Sequence, residues 1–448
     1  MGYFLYNVLL LMASPVIVLG LLAKPRCRRG LLQRLGRVPT HLKHLNSPII
    51  WIHAVSLGEV TAVVPFVKEL HARHPHCSLV VSTVTETGRE AVEQQLGHVA
   101  HHCYCPVDFT WAVKAYIRAL HPMAFLLIET ELWPNLLRLM ADQQIPAILV
   151  NGRLSSNSFQ RYQRIRSFMR QVLSFMTLCL MQTERDAQRI INLGADPEIV
   201  RTSGNMKFDH VDAPPEDTHF VTLSRSMLHL APHEIVLVAG STHAAEEDQL
   251  LRCYRRLCNI MPSLVLLIAP RHIERSQNVE ENIRRHGFSC IRRSRLQNDH
   301  GTHEEPTTSR VILLDTRGEL VSAYALGWIA FVGGTLTPIG GHNLLEPARW
   351  GVPVFFGPYT DHCAEVARIL SDAGGGVEVQ NEDELFHRIK EAHEDASWST
   401  RVGQAAQKAL AAHRGVVNKN IQMIQTVVPM LDTVPVEESS AYVLGKMY

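Results

Sequence analysis

No CxxC pair, no zinc-ligand spacing and no HExxH motif occurs in this 448-residue chain, although it carries nine cysteines and 24 histidines. Scattered thiols in odd number exclude a disulfide framework and point to a reducing compartment. The missing ligand spacing gives no metal site, so neither a metal nor another cofactor is expected. Charge does not lean to one sign either: 44 Lys+Arg stand against 43 Asp+Glu. That balance argues against a general polyanion binder, and nucleic acid is not an expected partner. No basic residue precedes the first apolar run, so a cleaved signal peptide is not the reading.

That first run, Tyr3 to Ala23, is uncharged and is followed by Lys24, Arg26, Arg28, Arg29, Arg34 and Arg37. About twenty apolar residues suffice to span a bilayer, and a basic flank stays on the cytoplasmic side. The expectation is a single-pass membrane-anchor helix, with a buried or interfacial helix as the alternative because Asn7, Ser14 and Pro15 interrupt it. Both sheets are expected after Pro48, so the anchor should be dispensable for folding.

At about 150 residues per domain the length suggests two or three domains. From Pro48, IIWIHAV, SLVVSTV, MAFLLI, PAILV and LCLMQ alternate with amphipathic stretches; EIVLVAGS, SLVLLIAP, RVILLD, WIAFVGG and VPVFF form a second series. Such alternation predicts parallel sheets covered by helices, with ligands at the carboxyl ends of the strands. The expected boundaries are an anchor over 1–23, a first α/β domain over 24–209, a linker over 210–232, a second α/β domain with C-terminal helices over 233–428, and a tail over 429–448. The polar stretch Ser294 to Arg310 reads as a solvated loop.

Candidate site residues stand at strand ends. The stretch GGTLTPIGGHNLLEP, Gly333 to Pro347, reads as a phosphate or nucleotide cradle opening a helix, with Asn343 and Glu346 on one face of its first turn. Glu59 closes WIHAVSLGE as a general-base candidate, or as a first-turn Glu serving its helix dipole. ETELWPN offers Glu129 and Glu131, either facing one cleft or capping the next helix. Lys207 in GNMKFD suits a phosphate or sugar carboxylate, or is a solvated charge. AGSTHAAEE, APRH with Arg271, and DTRGEL with Arg317, Gly318 and Glu319 supply further strand ends, although Ser241 is equally an ordinary helix cap.

Together, WIHAVSLGE, TETG, ETELWPN, NGRLS, GNMKFD, AGSTH, APRH, GELVSAYALG, FVGGTL and GGHNLLEP resemble, in that order and behind an apolar anchor, the 3-deoxy-D-manno-octulosonic acid (Kdo) transferases. The resemblance implies an α/β GT-B glycosyltransferase, with two Rossmann-like domains facing a central cleft. It implies a lipid A precursor (lipid IVA) as acceptor on the N-terminal domain and CMP-Kdo as donor on the C-terminal one. It also implies catalysis at the cytoplasmic surface of the inner membrane, without metal. Carried over residue by residue, the base falls on Glu59 and the transition-state stabilisers on Glu129 and Lys207. The donor contacts fall on Pro270 and Arg271, on Arg317, Gly318 and Glu319, and on Asn343, Leu344, Leu345 and Glu346. Two departures stand out: Arg317 replaces a small or apolar residue, and His362-Cys363 replace an Asn-aromatic pair. Another GT-B nucleotide-sugar transferase, a sugar-nucleotide epimerase and a membrane-bound nucleotide-binding scaffold are the competing readings.

Overall fold

The computed structural model describes residues 2–23, 29–45, 48–211, 223–296 and 310–429. The chain forms two compact units: residues 1–210 with the segment returning from Gly415, and Val211–Arg414. Each is built on one seven-stranded parallel sheet.

In the first unit β1 (Ile49–His53), β2 (Ser78–Thr83), β3 (Ala100–Tyr104), β4 (Pro122–Ile128), β5 (Ala147–Gly152), β6 (Leu178–Met181) and β7 (Val200–Thr202) lie in the order β3-β2-β1-β4-β5-β6-β7. In the second, β8 (Ile235–Thr242), β9 (Leu264–Pro270), β10 (Ser289–Arg292), β11 (Arg310–Leu313), β12 (Ile329–Val332), β13 (Val354–Phe356) and β14 (Gly376–Glu378) follow β10-β11-β9-β8-β12-β13-β14. Helices cover both faces, so central strands are buried all along and read as unbroken apolar runs. On β1, Ile49 and Trp51 enter one core cluster while Ile50 and Ile52 enter the other, the alternation a pleat requires. The strand order reverses between β1 and β4 and again between β8 and β12, and crevices open at such switch points.

Two domain boundaries differ from the expectation. The helix Val416–Val427 packs Val416, Val417, Ile421 and Ile424 into the core of the first unit, not the second. Asp209 fixes its start by accepting from the N–H groups of Gly415 at 2.7 Å and Val417 at 2.5 Å. Of the expected linker, residues 212–222 lie outside the described residues, whereas Leu223, Leu228 and Leu230 are buried with Val236 and Val238 of β8. They belong to the second core. Most of the expected loop after Ser294 and all but one residue of the expected tail also lie outside the described residues.

The apolar run folds as a helix, Gly2–Ala23. Among the described residues no helix is long and apolar enough to cross a membrane. Its first turns belong to the body: Tyr3 is 7% exposed within the core of the first unit, edge-on to Phe168 and Phe175. Phe4, Leu9, Leu11, Met12, Val16 and Leu19 are exposed. The expected basic flank is divided. Lys24, Arg26 and Arg28 lie outside the described residues, and Arg29 pairs with Glu86 at 3.3 Å. Arg34 is buried, donating to the Val84 carbonyl at 2.6 Å beneath the Tyr104 ring, so it is a core residue rather than a surface cation.

Candidate functional site

At the first switch point Glu59 stands in the opening turn of the helix Leu57–Arg73, which follows β1. Ser56, the residue at the helix N-cap, makes no capping bond with its side chain. The Glu59 carboxylate reaches back instead, accepting from the Val55 N–H at 2.7 Å and from the Ser56 hydroxyl at 3.2 Å. Burial raises its pKa from the ordinary carboxylate value to about 7, against the pull of the Val55 N–H. The charges of Glu129 and Glu131 push it the same way as burial. All three follow the ends of the neighbouring strands β1 and β4, within electrostatic reach of one another. Glu131 is also raised, by burial first and then by Glu129.

Glu129 sits at φ 60°, a left-handed conformation that a long side chain rarely adopts, and its N–H donates to the Val150 carbonyl at 3.1 Å. Asn151, at the end of β5, has φ 57°, and Ser241, at the end of β8, has φ 56°. Unusual backbone of this kind concentrates where function overrides local preference. The buried Asn151 amide oxygen accepts from the Met206 N–H at 3.0 Å, which fixes the turn bearing Lys207 next to the end of β5. No side-chain contact ties Lys207 to Glu59 or Glu129 among the described interactions.

In the second unit a recess of ≈ 430 Å³ is lined by Ser241, Pro270, Arg271, Leu314, Arg317 and Gly318, among others. Sequence candidates from two different strand ends thus share one wall. Arg317 is exposed and pairs with Glu274 at 3.1 Å. Glu319 stands between Gly318 and Leu320, which line this recess, and is itself buried. It is 1% exposed, bonded to the buried Arg293 at 3.1 Å and to the Thr316 hydroxyl, which fixes the loop that carries Arg317 and Gly318.

The glycine-rich stretch is organised differently from the expected cradle. The helix after it, Leu345–Ala348, has four residues, too short for an effective N-terminal dipole, and the Leu345 N–H is already taken by Asn343 Oδ1 at 3.1 Å. Asn343 and Glu346 do share a face, and they bond to each other at 3.1 Å. Gly333 is required by packing: a Cβ there would lie 2.5 Å from the Ser241 carbonyl of neighbouring β8. What holds the stretch is Glu246, fully buried, whose carboxylate accepts from the N–H groups of Gly334 at 2.7 Å and of Thr335 and Leu336 at 2.8 Å each. Sequence reading missed it, though an acidic pair opening a helix after a strand is the signal that was there. Its neighbour Glu247 binds Arg275 at 2.8 Å and the Thr242 hydroxyl at 3.0 Å.

An imidazole cluster completes the second switch point. The rings of His243 and His342 stack at 5.2 Å, with Nε2 atoms 2.9 Å apart, so one nitrogen donates and the other accepts. Burial, then the Arg271 charge, lowers His342 to about 4, and His243 is lowered by burial as well. The pair is neutral near pH 7. The same charge of Arg271 reaches Glu346, so the APRH loop and the His342–Glu346 segment are electrostatic neighbours. His362 and Cys363 meet Gly340, the former through its N–H at 2.8 Å to the Gly340 carbonyl. Among the described residues no three His, Cys, Asp or Glu side chains are grouped to hold a metal ion.

Comparison with known proteins gives this arrangement a family. A family model described as 3-Deoxy-D-manno-octulosonic-acid transferase (kdotransferase) matches residues 29–210. The chain is 33% identical over 434 residues to the 3-deoxy-D-manno-octulosonic acid transferase of Haemophilus influenzae, covering 95% of this chain and 98% of that one. The transferase of the same description from Aquifex aeolicus is 30% identical over 343 residues, covering 76% and 85%. Among solved structures, the UDP-GlcNAc 2-epimerase from Neisseria meningitidis aligns with a TM-score of 0.57 over 85% of this chain and 100% of its own. At 14% identity that likeness shows the fold alone.

Proposed function

The chain belongs to the 3-deoxy-D-manno-octulosonic acid transferase family, and from that premise we propose that it is a GT-B enzyme moving Kdo from CMP-Kdo to a lipid A precursor. The observation that carries the chemistry is the Glu59 carboxylate at the first switch point, with a pKa near 7. A base poised near the working pH is the arrangement that proton abstraction from a hydroxyl requires. Glu59 removes the proton from an acceptor hydroxyl as its oxygen attacks the anomeric carbon of Kdo. CMP departs from the opposite face, so the configuration inverts through an oxocarbenium-like state. Glu129 and Lys207 act as the stabilisers of that state.

On the donor side Pro270, Arg271, Arg317 and Gly318 line the recess that receives CMP, and Asn343 to Glu346 complete it. Arg271 balances the negative charge of the phosphate or of the sugar carboxylate, as a guanidinium fork suits either. Glu319 contributes by fixing the loop of Arg317 and Gly318. Because CMP leaves as a stabilised phosphate, departure needs little protonation and no metal. Transfer therefore continues in excess EDTA; loss there with recovery on added Mg²⁺ contradicts the scheme.

Membrane attachment is the remaining element of the reading. The exposed apolar residues of the helix Gly2–Ala23 enter the cytoplasmic face of the inner membrane, where the acceptor resides. Incubating the protein with acceptor and either CMP-Kdo or UDP-GlcNAc separates this function from epimerase chemistry. Turnover of CMP-Kdo alone is expected, and turnover of UDP-GlcNAc alone overturns it.

A further inference from the structure

The N-terminal helix is joined to the site through a compact polar knot. Tyr3 donates from its hydroxyl to the Pro134 carbonyl at 3.1 Å, and Tyr6 donates to Asp108 Oδ2 at 2.8 Å. Asn7 and Asn135 exchange amide hydrogen bonds at 3.2 and 2.8 Å. Asp108 and Asn135 are each 1% exposed. The Asp108 carboxylate also accepts from the backbone N–H groups of Asn135 and Leu136, both at 2.8 Å. It thereby caps the helix Pro134–Asp142, whose own N-cap residue, Trp133, makes no capping bond with its side chain.

Immediately upstream on the chain stand Glu129, Thr130 and Glu131. Their segment is held at one end by the Glu129 N–H on the Val150 carbonyl and by the Thr130 hydroxyl on the Arg153 carbonyl. The other end is the knot. A segment with left-handed backbone at Glu129 keeps that conformation only while both ends are fixed. Slackening one end lets the carboxylates relax toward water.

We propose that Tyr6 and Asn7 are positioning residues for transfer: through Asp108 and Asn135 they hold the segment that carries Glu129 and Glu131 beyond the end of β4, the strand paired with β1 ahead of Glu59. The helix that carries the exposed apolar face thus also sets the geometry around the base. The kinetic part rests on the reading of Glu59 as base, and the structural part does not. Burial of Asp108 raises its pKa to about 6 against the donors around it, so each donated bond matters for keeping it charged in place.

The test uses full-length protein and detergent-dispersed acceptor, which removes any effect of partition into a membrane. Tyr6→Phe keeps the ring against Phe168, at 5.8 Å between centroids, and deletes one hydroxyl; Asn7→Leu deletes both amide bonds. Both variants are expected to show faster amide exchange over residues 129–136, with the rest of the first unit unchanged. Their kcat should fall roughly 5- to 100-fold at unchanged KM for the donor, since a misplacement near 1 Å has that cost. The acid limb of the rate profile should move to lower pH by on the order of half a unit, because Glu59 loses like-charged neighbours. A merely structural role lowers the thermal midpoint without moving that limb. An unmoved limb overturns the proposal, whether or not exchange at 129–136 quickens. Glu59→Gln run alongside separates the two ideas: full activity there defeats the base assignment, whatever the other variants do.

Discussion

At the scale of single residues, Glu59 has to be deprotonated when it acts as a base. Its pKa is raised to about 7, so transfer increases with pH through about 7 and levels off above it. Replacing Glu129 by Gln removes one negative neighbour, which makes the Glu59 proton easier to lose and moves the acid limb to lower pH; a move upward would refute the coupling. Glu59→Gln itself should retain CMP binding and lose roughly two to four orders of magnitude in rate, the usual value of an acid or base, as read from steady-state kinetics. Sequence pointed to Glu59, Glu129 and Arg271 because each follows an apolar strand. It gave no sign of the buried partner of Glu319, Arg293, which stands on a separate short helix. It also misread Arg34, since a run of basic residues gives no sign that one of them lies under Tyr104.

At the scale of elements, ten strands of the described residues were legible and four were not, for one physical reason. The four unread strands, β3, β7, β10 and β14, are the edges of the two sheets. An edge strand is short and has one side unpaired, so AHHCY, VRT, SCIR and GVE carry no continuous apolar run. The glycine-rich stretch was legible as a special turn, whereas its cause was not, because Glu246 acts on amides far along the chain. Glu246→Ala orphans three buried N–H groups at Gly334, Thr335 and Leu336. With charged hydrogen bonds contributing about 1.5–3 kcal/mol each, the second unit should lose about 3 kcal/mol or more of stability, and CMP binding with it. Denaturant titration with a CMP-binding assay reads both; wild-type stability would remove Glu246 from its role in holding the turn.

For the whole molecule, the sequence gives two α/β units and a family, but not which unit the chain ends return to. The apolar faces of Val416–Val427 and of Gly2–Ala23 look alike in a sequence whether they meet a bilayer or a protein core. Tyr3, buried with Phe168 and Phe175, shows that the first turns serve the core. Deleting residues 2–23 is therefore expected to lower the thermal midpoint of the first unit and to reduce transfer on both vesicle and detergent substrates. Equal stability and a loss confined to vesicles would reduce the helix to a tether. The central claim, Kdo transfer with Glu59 as the base, is tested most directly by the mass of the lipid product. Wild-type protein given CMP-Kdo and a defined lipid A precursor at pH 8 should yield acceptor heavier by whole Kdo residues, and Glu59→Gln, still binding CMP, should yield almost none. Unmodified acceptor with the wild-type protein, or equal product with both proteins, would contradict it.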